Sequence, residues 1–277
     1  MDGDKVVKYV DKILFKEYAK SKGVDTAQIL LGPFDDADDI KLSEIPNDCV
    51  LKLNHGSKLN IAVREGEILF GAQRKKLSLI WPKIKKKLNL WRKPYHPKAA
   101  PTSTMSLRLY KCVKPKIFIE ELTYPIPISY HCWVFNGKTK LIEAICYTRL
   151  LHHAEQAQAA QAVGADSAEW LIHGKFYDTN WADTKCLDKS TVDLNPNSFK
   201  YDFPKPDNLN EMIKAAEKLS DDLEFARVDL YNYKNKIMAR EITLAIGEGW
   251  ENFYPIFGGV ECKKSSRCEK MLMNFWA

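Results

Sequence analysis

Apolar and polar positions alternate along the chain with two periods, one typical of helices and one typical of strands. Residues 11–22 place an apolar side chain every three or four positions and end at Gly23, which predicts a helix. Residues 49–54 and 59–63 are short apolar runs around a turn, which predicts a β-hairpin. Residues 66–105 are basic and predicted to be helical in part, before prolines that are typical of a connecting segment.

The middle of the chain continues this mixture. Residues 116–120 and 130–135 are predicted strands, and the second ends at Asn136-Gly137, a dipeptide that favours a hairpin turn. The alanine and glutamine content of residues 150–162 predicts a helix, and residues 174–206 are predicted to be a loop.

The last part predicts one more helix and one more hairpin. Asp207 is expected to cap a helix at residues 209–219, whose apolar positions lie on one face. Strands at 224–231 and 236–246 follow, joined by a four-residue turn. Helices mixed with mostly antiparallel hairpins predict the α+β class.

Length and composition limit the kind of protein. The 277 residues (31.8 kDa) suit one large domain or two closely packed lobes. A hydrophobic content of 45% excludes wholesale disorder, and no apolar run reaches the roughly 18 residues of a membrane span. The charged first ten residues do not suit a signal peptide, and seven scattered cysteines without a CxxC pair indicate reduced thiols. We therefore expect a cytoplasmic protein.

The net charge of +6 arises largely around residues 74–93, close to Trp81 and Trp91. Lysines interleaved with tryptophan could bind single-stranded nucleic acid by phosphate contact and base stacking. The alternative is a solvated helix face with both tryptophans in the core. We expect the second, so nucleic acid is not the expected partner.

The final hairpin carries the most informative polar residues. Side chains alternate faces along a strand, so Arg227 and Asp229 lie opposite the apolar face, and Glu241 and Thr243 share the polar face of the partner strand. Asp229 and Glu241 are expected to come into register. Two carboxylates, a guanidinium and a hydroxyl suit a hard cation that bridges phosphates. The alternative is a solvated sheet face with a surface Arg–Asp pair.

Lys52 lies in the middle of an apolar strand, on the face opposite to Leu51 and Leu53. Because burying an unpaired ammonium is unfavourable, its charge needs a partner. The turn at residues 55–58 follows directly, and its backbone N–H groups could hold a phosphate. The alternative is an edge-strand lysine in water.

Several segments, in this order and spacing, resemble an ATP-grasp domain. They are Asp11-Lys12 with Lys16 and Gly23, Val50 to Ser57 with Lys52, Ile117-Phe-Ile-Glu-Glu121-Leu122, and Arg227-Val-Asp229 followed by Glu241-Ile-Thr243, Gly247 and Gly249. The details are similar to the TupA-like branch, named for teichuronopeptide synthesis. Its features are Asn54-His-Gly-Ser57, Phe135-Asn-Gly-Lys138, Asn208-Leu-Asn-Glu-Met212, Ala216-Glu-Lys-Leu-Ser220 and Arg227-Val-Asp-Leu-Tyr231. The resemblance runs from about residue 11 to residue 259.

The resemblance implies an α+β protein with the ATP-grasp fold, in which two lobes with mostly antiparallel sheets enclose a nucleotide cleft. The N-terminal lobe would be residues 1–115, with a phosphate loop at 54–60. The C-terminal lobe would be residues 116–277, with an adenine hinge, an insertion at 147–206 and a metal-binding hairpin at 224–246. Tyr177, Asp178 and Trp181 of the insertion are candidates for substrate recognition, with simple packing as the alternative.

The resemblance also implies ATP and Mg²⁺ as cofactors and assigns the site residues. ATP would be bound by Lys16, Lys52, His55, Gly56, Ser57 and Lys58, and at the adenine hinge by Glu120, Glu121, Leu122 and Thr123. Magnesium would be bound by Asp229, Glu241 and Thr243. Arg227 would stabilise a tetrahedral intermediate, and His131 would either donate to a phosphoryl oxygen or be a structural histidine.

The implied function is a carboxylate–amine ligase that forms an acyl phosphate, with a sugar acid, amino acid or peptide of a cell-surface polysaccharide as its small or glycan-linked substrate. The alternatives are a kinase on the same fold, a glycosyltransferase of polysaccharide synthesis and a non-catalytic nucleic-acid binder. ATP-grasp enzymes normally carry a preceding substrate-binding domain. Only ten residues precede Asp11, so we expect either a shortened domain or a partner subunit that supplies it.

Three departures from the family pattern affect the expected site. Thr243 stands where an asparagine usually completes the metal site, and Lys58 stands where the TupA-like loop tends to have a second glycine. Ser129 and His131 replace an aspartate and a lysine, so the carboxylate expected for the ribose hydroxyls is missing. These changes weaken the expectation of full activity but leave Lys16, Lys52, Asp229 and Glu241 in place.

Overall fold

The computed structural model describes residues 3–56, 59–69, 75–93, 110, 112–149, 170–184 and 202–244. The helices in these ranges are α1 (Gly3–Val10), α2 (Lys12–Ser21), α3 (Leu77–Arg92) and α4 (Leu209–Leu219). The strands are β1 (Asp25–Thr26), β2 (Ile29–Phe34), β3 (Cys49–Leu53), β4 (Asn60–Arg64), β5 (Glu67–Ile68), β6 (Ile117–Glu121), β7 (Ser129–Phe135), β8 (Lys138–Arg149), β9 (Trp170–Tyr177), β10 (Phe225–Tyr233) and β11 (Lys236–Thr243).

The first sheet has five strands in the order β2-β6-β3-β4-β5, and its pairs are antiparallel. The predicted hairpin is confirmed as β3 and β4. Leu51 and Leu53 are fully buried on one face of β3, while Lys52 is only half-buried on the other. The alternation seen in the sequence therefore places Lys52 away from the apolar core.

Helix α3 confirms the helix predicted within the basic segment. Its buried residues recur every three or four positions, which places them on one face that packs in the same core as Leu51. They are Leu77, Trp81, Ile84, Leu88 and Trp91. Both tryptophans are therefore core residues, and their rings are not available to stack on bases. The interpretation of this segment as a basic helix over a core is confirmed.

Helix α2 begins and ends as the sequence predicts. The carboxylate of Asp11 accepts hydrogen bonds from the amides of Ile13 (2.8 Å) and Leu14 (3.3 Å), which caps the helix. Gly23 follows the last turn with φ +68°, a conformation that glycine adopts without strain. The preceding helix α1 was not predicted. The charges of the first ten residues argued against a signal peptide, and no helix was inferred from them.

The second sheet has six strands in the order β1-β11-β10-β7-β8-β9. Ala226, Val228 and Leu230 of β10 are fully buried, and α4 buries Met212 and Leu219. The helix predicted at 209–219 is confirmed, and so is the α+β class with mostly antiparallel sheets. The predicted cap is wrong: Asn208 is the residue before the helix, and its side chain bonds to Asn232 rather than to the helix amides.

Two tight turns join neighbouring strands of this sheet. Asn136-Gly137 joins β7 to β8, as predicted, with φ values of 48° and 72°. Lys234-Asn235 joins β10 to β11 with φ values of 52° and 61°. The four-residue turn predicted at 232–235 is wrong, since Asn232 and Tyr233 are still paired within the strand. Both pairs of dihedrals are those of a two-residue hairpin turn.

The loop predicted at 174–206 is also wrong at its start. Strand β9 extends to Tyr177 and lies beside β8 at the edge of the sheet. Pairing with β8 gives these residues backbone hydrogen bonds that the sequence pattern does not reveal. The helix predicted at 150–162 and most of the proline-rich connection lie outside the described residues.

The chain divides into two compact units that interleave along the sequence. The first takes its residues from Met1–Tyr18, Thr26–Pro125 and Arg149–Trp170, and the second from Ala19–Asp25, Ile126–Thr148 and Leu171–Ala277. Strand β6, in which the predicted adenine hinge begins, lies within the five-stranded sheet. The division into lobes at residue 115 stays a prediction.

The described residues bear on two expectations from composition. Among the described residues, Cys49, Cys112, Cys132 and Cys146 are free cysteines. Burial raises the pKa of the Cys49 thiol to about 12, so it stays protonated and unreactive at neutral pH. Of the helices in the described ranges, none is long and apolar enough to cross a membrane.

Candidate functional site

The first unit contains a lysine–glutamate cluster made of Lys16 on α2, Lys52 on β3 and Glu120 on β6. Strands β3 and β6 are neighbours, and their register places Lys52 opposite Phe118, so Lys52 and Glu120 share a face. Glu120 Oε2 lies 2.8 Å from Lys16 Nζ, and Glu120 Oε1 pairs with Lys52 Nζ. Lys16 also donates to the carbonyl of Ala27 at 2.7 Å.

The two lysines stabilise the ionised form of the carboxylate in this cluster. Burial of Glu120 would raise its pKa, but Lys52 and Lys16 outweigh burial and hold the pKa below its ordinary value. Burial lowers the pKa of Lys16, and Glu120 opposes that shift. Two ammonium groups against one carboxylate leave a net positive charge, which suits an anionic ligand such as a phosphate.

The alternative of an edge-strand lysine in water is wrong for Lys52. Strand β3 lies between β6 and β4, and the Lys52 side chain is only 20% exposed. Its charge is satisfied by Glu120, whose side chain is 6% exposed. The sequence predicts that Glu120 contacts adenine through its backbone. It does not reveal that the Glu120 carboxylate pairs with both predicted phosphate-binding lysines.

The start of the predicted phosphate loop is fixed by a buried polar network. Asn54 donates to the Asp11 carboxylate at 2.7 Å and accepts from the Lys116 amide at 2.7 Å. Lys12 Nζ donates to the carbonyl of Gly56 at 2.7 Å, and Gly56 has φ +73°. This network fixes the strand end that leads into the loop. Ser57 and Lys58 lie outside the described residues.

His55 is a buried histidine in this loop. Its ring lies beside the backbone of Trp91, but neither ring nitrogen makes a hydrogen bond of good geometry within the part of the chain that the structure describes. Burial and the nearby charge of Lys12 lower its pKa to about 4. The imidazole is therefore neutral at pH 7, with one donor and one acceptor left unused. A neutral ring of this kind could donate to a phosphate oxygen without charge repulsion from Lys12.

We expect NMR to show His55 titrating near pH 4, well below the ordinary histidine value near 6.5. Because the folded pKa lies below the unfolded one, the unfolded state binds the proton first, so stability falls as pH drops from about 6.5 to about 4. His55→Gln assigns the signals and should reduce that pH dependence. A midpoint at pH 6 or above would contradict the buried, unpartnered environment.

The predicted adenine hinge begins inside the first sheet. The amide of Glu121 donates to the carbonyl of Gln28 at 2.9 Å, and the Glu121 carboxylate accepts from the Gln28 amide at 3.0 Å. Leu122 and Thr123 follow the end of β6 and are half-buried. The Glu121 amide is thus used within the sheet, and a role of Leu122 and Thr123 in binding adenine stays a prediction.

The second unit contains a row of ionisable side chains that crosses four neighbouring strands. Glu143 of β8 lies opposite His131 of β7, His131 lies opposite Asp229 of β10, and Asp229 lies opposite Glu241 of β11. We call these four residues the carboxylate row. The predicted register of Asp229 with Glu241 is confirmed. Residues opposite each other across strands lie within contact distance of their side chains.

Arg227 and His131 connect the members of the carboxylate row. Arg227 donates from Nε and Nη2 to the two carboxylate oxygens of Asp229, both at 2.7 Å, and from Nη2 to Thr243 Oγ1 at 3.3 Å. Glu241 Oε1 lies 3.9 Å from the same Nη2. His131 Nδ1 lies 3.0 Å from Glu143 Oε2, and its Nε2 lies 3.6 Å from Asp229 Oδ2.

Burial separates the roles of the carboxylates. Asp229 is 2% exposed, so the alternative of a surface Arg–Asp pair is wrong. Burial would raise the pKa of Asp229, but Arg227 outweighs burial and lowers it. The pKa of Arg227 is raised because the Asp229 carboxylate outweighs its burial. The Glu241 side chain is 38% exposed and is therefore the most accessible of these acids.

The donor set of the row matches magnesium in type. The carboxylates of Asp229, Glu241 and Glu143 lie near the guanidiniums of Arg227 and Arg240, so three acidic side chains outnumber two arginines. Arg227 occupies both oxygens of Asp229, and among the described residues no three His, Cys, Asp or Glu side chains are arranged to hold a metal by themselves. Magnesium commonly uses one or two carboxylates and completes its shell with substrate phosphates and water.

Glu143 is a member of the row that the sequence analysis missed. Its signal is the same as that of Lys52, a charged residue within an apolar strand. A two-residue turn at Asn136-Gly137 would place Ile142 opposite His131. An irregularity between Trp133 and Val134 shifts the register by one residue and places Glu143 there instead.

Tyr177 and Trp181, proposed for substrate recognition, pack against each other with ring centroids 4.1 Å apart. Tyr177 accepts a hydrogen bond from the Phe203 amide at 3.0 Å, and Trp181 donates to the Phe203 carbonyl at 3.1 Å. The Asp178 carboxylate accepts from the amides of the turn that follows it. These contacts favour the packing alternative.

Comparison with known proteins bears on the second unit. A family model described as TupA-like ATPgrasp matches residues 171–256. This segment, about a third of the chain, is therefore similar to the TupA-like ATP-grasp family. The TupA-like segment contains Arg227, Asp229, Glu241 and Thr243, so the resemblance noted in the sequence is confirmed where the metal residues were expected.

Solved ATP-grasp structures are similar to the chain at low identity. D-alanine–D-alanine ligase from Bacillus anthracis in complex with ATP has 15% identity and a TM-score of 0.46, with 96% of this chain and 65% of that chain covered. L-amino acid ligase from Bacillus licheniformis has 11% identity and a TM-score of 0.45, with 97% and 50% covered. The chain thus spans half to two thirds of their lengths. The curated proteins include no match to the sequence.

Proposed function

We propose that this TupA-like ATP-grasp protein is an ATP- and Mg²⁺-dependent carboxylate–amine ligase. The observation that carries the proposal is the in-register pair of Asp229 and Glu241, joined by Arg227, within the family segment. Oxygen ligands beside a guanidinium suit the transfer of a phosphoryl group, because the developing charge is anionic.

Within this proposal the lysine–glutamate cluster binds the triphosphate. Lys16 and Lys52 point at one carboxylate and carry an excess positive charge, so a phosphate oxygen can share their protons with Glu120. His55, Gly56, Ser57 and Lys58 of the loop would add donors to the phosphates. The end of β6, from Glu121 to Thr123, would contact the adenine through backbone groups.

The carboxylate row would hold magnesium through Glu241 and Asp229, with the hydroxyl of Thr243 as a weaker ligand. Bound there, the metal would supply neutralisation of the β- and γ-phosphate charge. Arg227 has a second role: its guanidinium is fixed by Asp229 and can stabilise the oxyanion of a tetrahedral intermediate. His131, oriented by Glu143, can donate to a phosphoryl oxygen.

The proposed reaction joins a carboxylate to an amine through an acyl phosphate. The carboxylate attacks the γ-phosphorus of ATP and ADP leaves, and the amine then displaces phosphate from the acyl carbon. By the family resemblance, we propose that the substrate is a sugar acid, amino acid or peptide of a cell-surface polysaccharide and that the reaction takes place in the cytoplasm. A shortened domain of this chain or a partner subunit would supply the substrate-binding domain. This choice depends on analogy, because a fold does not select a substrate.

Glu241→Gln tests the metal assignment. We expect it to lower the affinity for ATP in the presence of Mg²⁺ by about tenfold or more, because a charged magnesium ligand is lost. Affinity for ATP without Mg²⁺ should change little. Isothermal titration calorimetry with and without Mg²⁺ measures both. Because Glu241 is 38% exposed, the melting temperature should stay within about 2 °C of the unmodified protein.

Glu211→Gln, at an exposed position of α4, removes the same charge away from the row and is the matched control. An unchanged magnesium effect in Glu241→Gln would reject the metal assignment. Product analysis separates the ligase from a kinase: a ligase needs both carboxylate and amine for repeated turnover and yields an amide, ADP and phosphate, whereas a kinase yields a stable phosphorylated hydroxyl and ADP without an amine.

A further inference from the structure

The outward side of α3 exposes two large apolar residues. Leu79 is 78% exposed and Leu90 is 45% exposed, and these are the exposed large hydrophobics among the described residues. The helix buries Trp81 and Leu88 on its opposite side, so its core face is already complete. Leu79 and Leu90 are therefore not part of the buried core of the first unit.

Four lysines surround these leucines. At 3.6 residues per turn, Leu79, Leu90 and the lysines fall within roughly a third of the helix circumference. We call this set the α3 outer face: Leu79, Lys83, Lys86, Lys87, Leu90 and Lys93. The sequence of α3 contains no aspartate or glutamate, so the face is apolar at its centre and cationic around it.

The acidic residues that contact α3 form ion pairs with basic residues outside the α3 outer face. Lys85 pairs with Asp38 at 2.6 Å, and Arg92 pairs with Asp36 at 3.1 Å. In the described part of the chain, no ion pair neutralises Lys83, Lys86, Lys87 or Lys93. Beside the face lies a groove of about 580 Å³, lined by Pro82, Asn89 and Leu90, by the paired Asp38 and Lys85, and by Lys86 and Lys93. Because Lys85 neutralises Asp38, an anionic headgroup in the groove would meet the ammonium groups of Lys86 and Lys93.

We propose that the α3 outer face docks the protein on the surface of an anionic lipid bilayer. Lysines alone would bind any polyanion. The exposed leucines among them contribute favourable binding free energy only where the partner has apolar surface next to its negative charge. A bilayer supplies both, because headgroups attract the lysines while the leucines enter the boundary of the acyl chains. The tryptophans that nucleic acid would need for stacking are buried in the core.

The test is co-sedimentation of the full chain with vesicles. Vesicles of phosphatidylcholine and phosphatidylglycerol in equal parts should bind the protein, and vesicles of phosphatidylcholine alone should bind it far more weakly. Each lysine near an anionic surface contributes about a fivefold factor, so Lys83→Gln/Lys86→Gln/Lys87→Gln should weaken binding by about a hundredfold. Leu79→Ser/Leu90→Ser should weaken it by about tenfold or more.

Lys214→Gln/Lys218→Gln/Lys236→Gln removes the same charge at exposed positions of α4 and β11 and should change binding far less. Circular dichroism confirms that each variant is folded. The proposal is overturned if the unmodified protein ignores anionic vesicles, if the control loses as much binding as the α3 variant, or if Leu79→Ser/Leu90→Ser binds normally. Tight binding to single-stranded RNA that ignores the leucines would instead indicate a nucleic-acid surface.

Discussion

Glu120→Gln should lower the free energy of unfolding by about 3 kcal/mol at pH 7, because it removes the single carboxylate that neutralises Lys16 and Lys52. Glutamine keeps the shape of the side chain but turns an amide group toward two ammonium groups. Both lysines are mostly buried, with 13% and 20% of their side chains exposed, so water cannot fully replace the lost partner. Urea unfolding followed by circular dichroism measures the change.

The same variant predicts a pH dependence with a definite sign. The pKa of Glu120 is lower in the folded protein than the ordinary value of 4.5. The stabilisation it provides is therefore present above about pH 4.5 and is lost as pH falls through the folded pKa. The difference in unfolding free energy between the unmodified protein and Glu120→Gln should shrink below pH 4.5.

Glu121→Gln is the matched control, since it makes the same change at the next residue, whose carboxylate accepts an exposed amide hydrogen bond from Gln28 and has a weaker charge effect on Lys16 than Glu120 has. We expect it to lower the stability by less than about 1 kcal/mol. Equal losses in Glu120→Gln and Glu121→Gln, or a difference that does not vary with pH, would show that Glu120 does not hold the two lysines.

Asp229→Asn should destabilise the protein by about 3 to 5 kcal/mol, because it leaves the guanidinium of Arg227 buried without its counter-charge. The two hydrogen bonds of 2.7 Å are the short, bidentate kind that an amide cannot reproduce. Thermal and urea unfolding at pH 7 measure the loss.

A double-mutant cycle isolates the pair. Arg227→Met/Asp229→Leu removes both charges and fills the space with apolar atoms, so it should be more stable than Asp229→Leu alone, and Arg227→Met completes the cycle. Strictly additive losses would contradict a coupled buried pair. The cycle concerns stability only, since both residues also belong to the proposed site.

These two expectations decide which variants can test function. A loss of nucleotide binding in Asp229→Asn would combine a chemical effect with a structural one. Glu241 has no such structural task, since its side chain is 38% exposed and approaches Arg227 only at 3.9 Å. Glu241→Gln is therefore the informative variant for magnesium.

Several features of the fold followed from the sequence because they depend on neighbours along the chain. The alternation around Lys52 placed Leu51 and Leu53 in the core, and Asn136-Gly137 specified a tight turn. The apolar spacing of α3 placed its tryptophans inside and its lysines outside. Local periodicity is sufficient for such assignments, since one residue's direction fixes those of its neighbours.

Only part of the carboxylate row was expected from the sequence, which predicted the pairing of Asp229 with Glu241 but neither Glu143 nor the bulges that set both registers. The turn at Lys234-Asn235 by itself would place Arg240 opposite Asp229. A bulge shifts the pairing by one residue and places Glu241 there instead. A comparable shift brings Glu143 opposite His131. A shift of one residue reverses the direction of every later side chain, and the positions of the bulges are set by contacts between strands.

The sequence by itself determined the α+β class, the faces of the main strands and helices, and the residue types that suit phosphate and magnesium. Three contacts became known from the three-dimensional structure alone. Lys16 and Lys52 share the carboxylate of Glu120. Asp229 is buried in a pair with Arg227, and Glu143 contacts His131. The physical reason is that charge pairing and burial depend on distances between segments far apart in the chain. Local propensity carries no information about those distances.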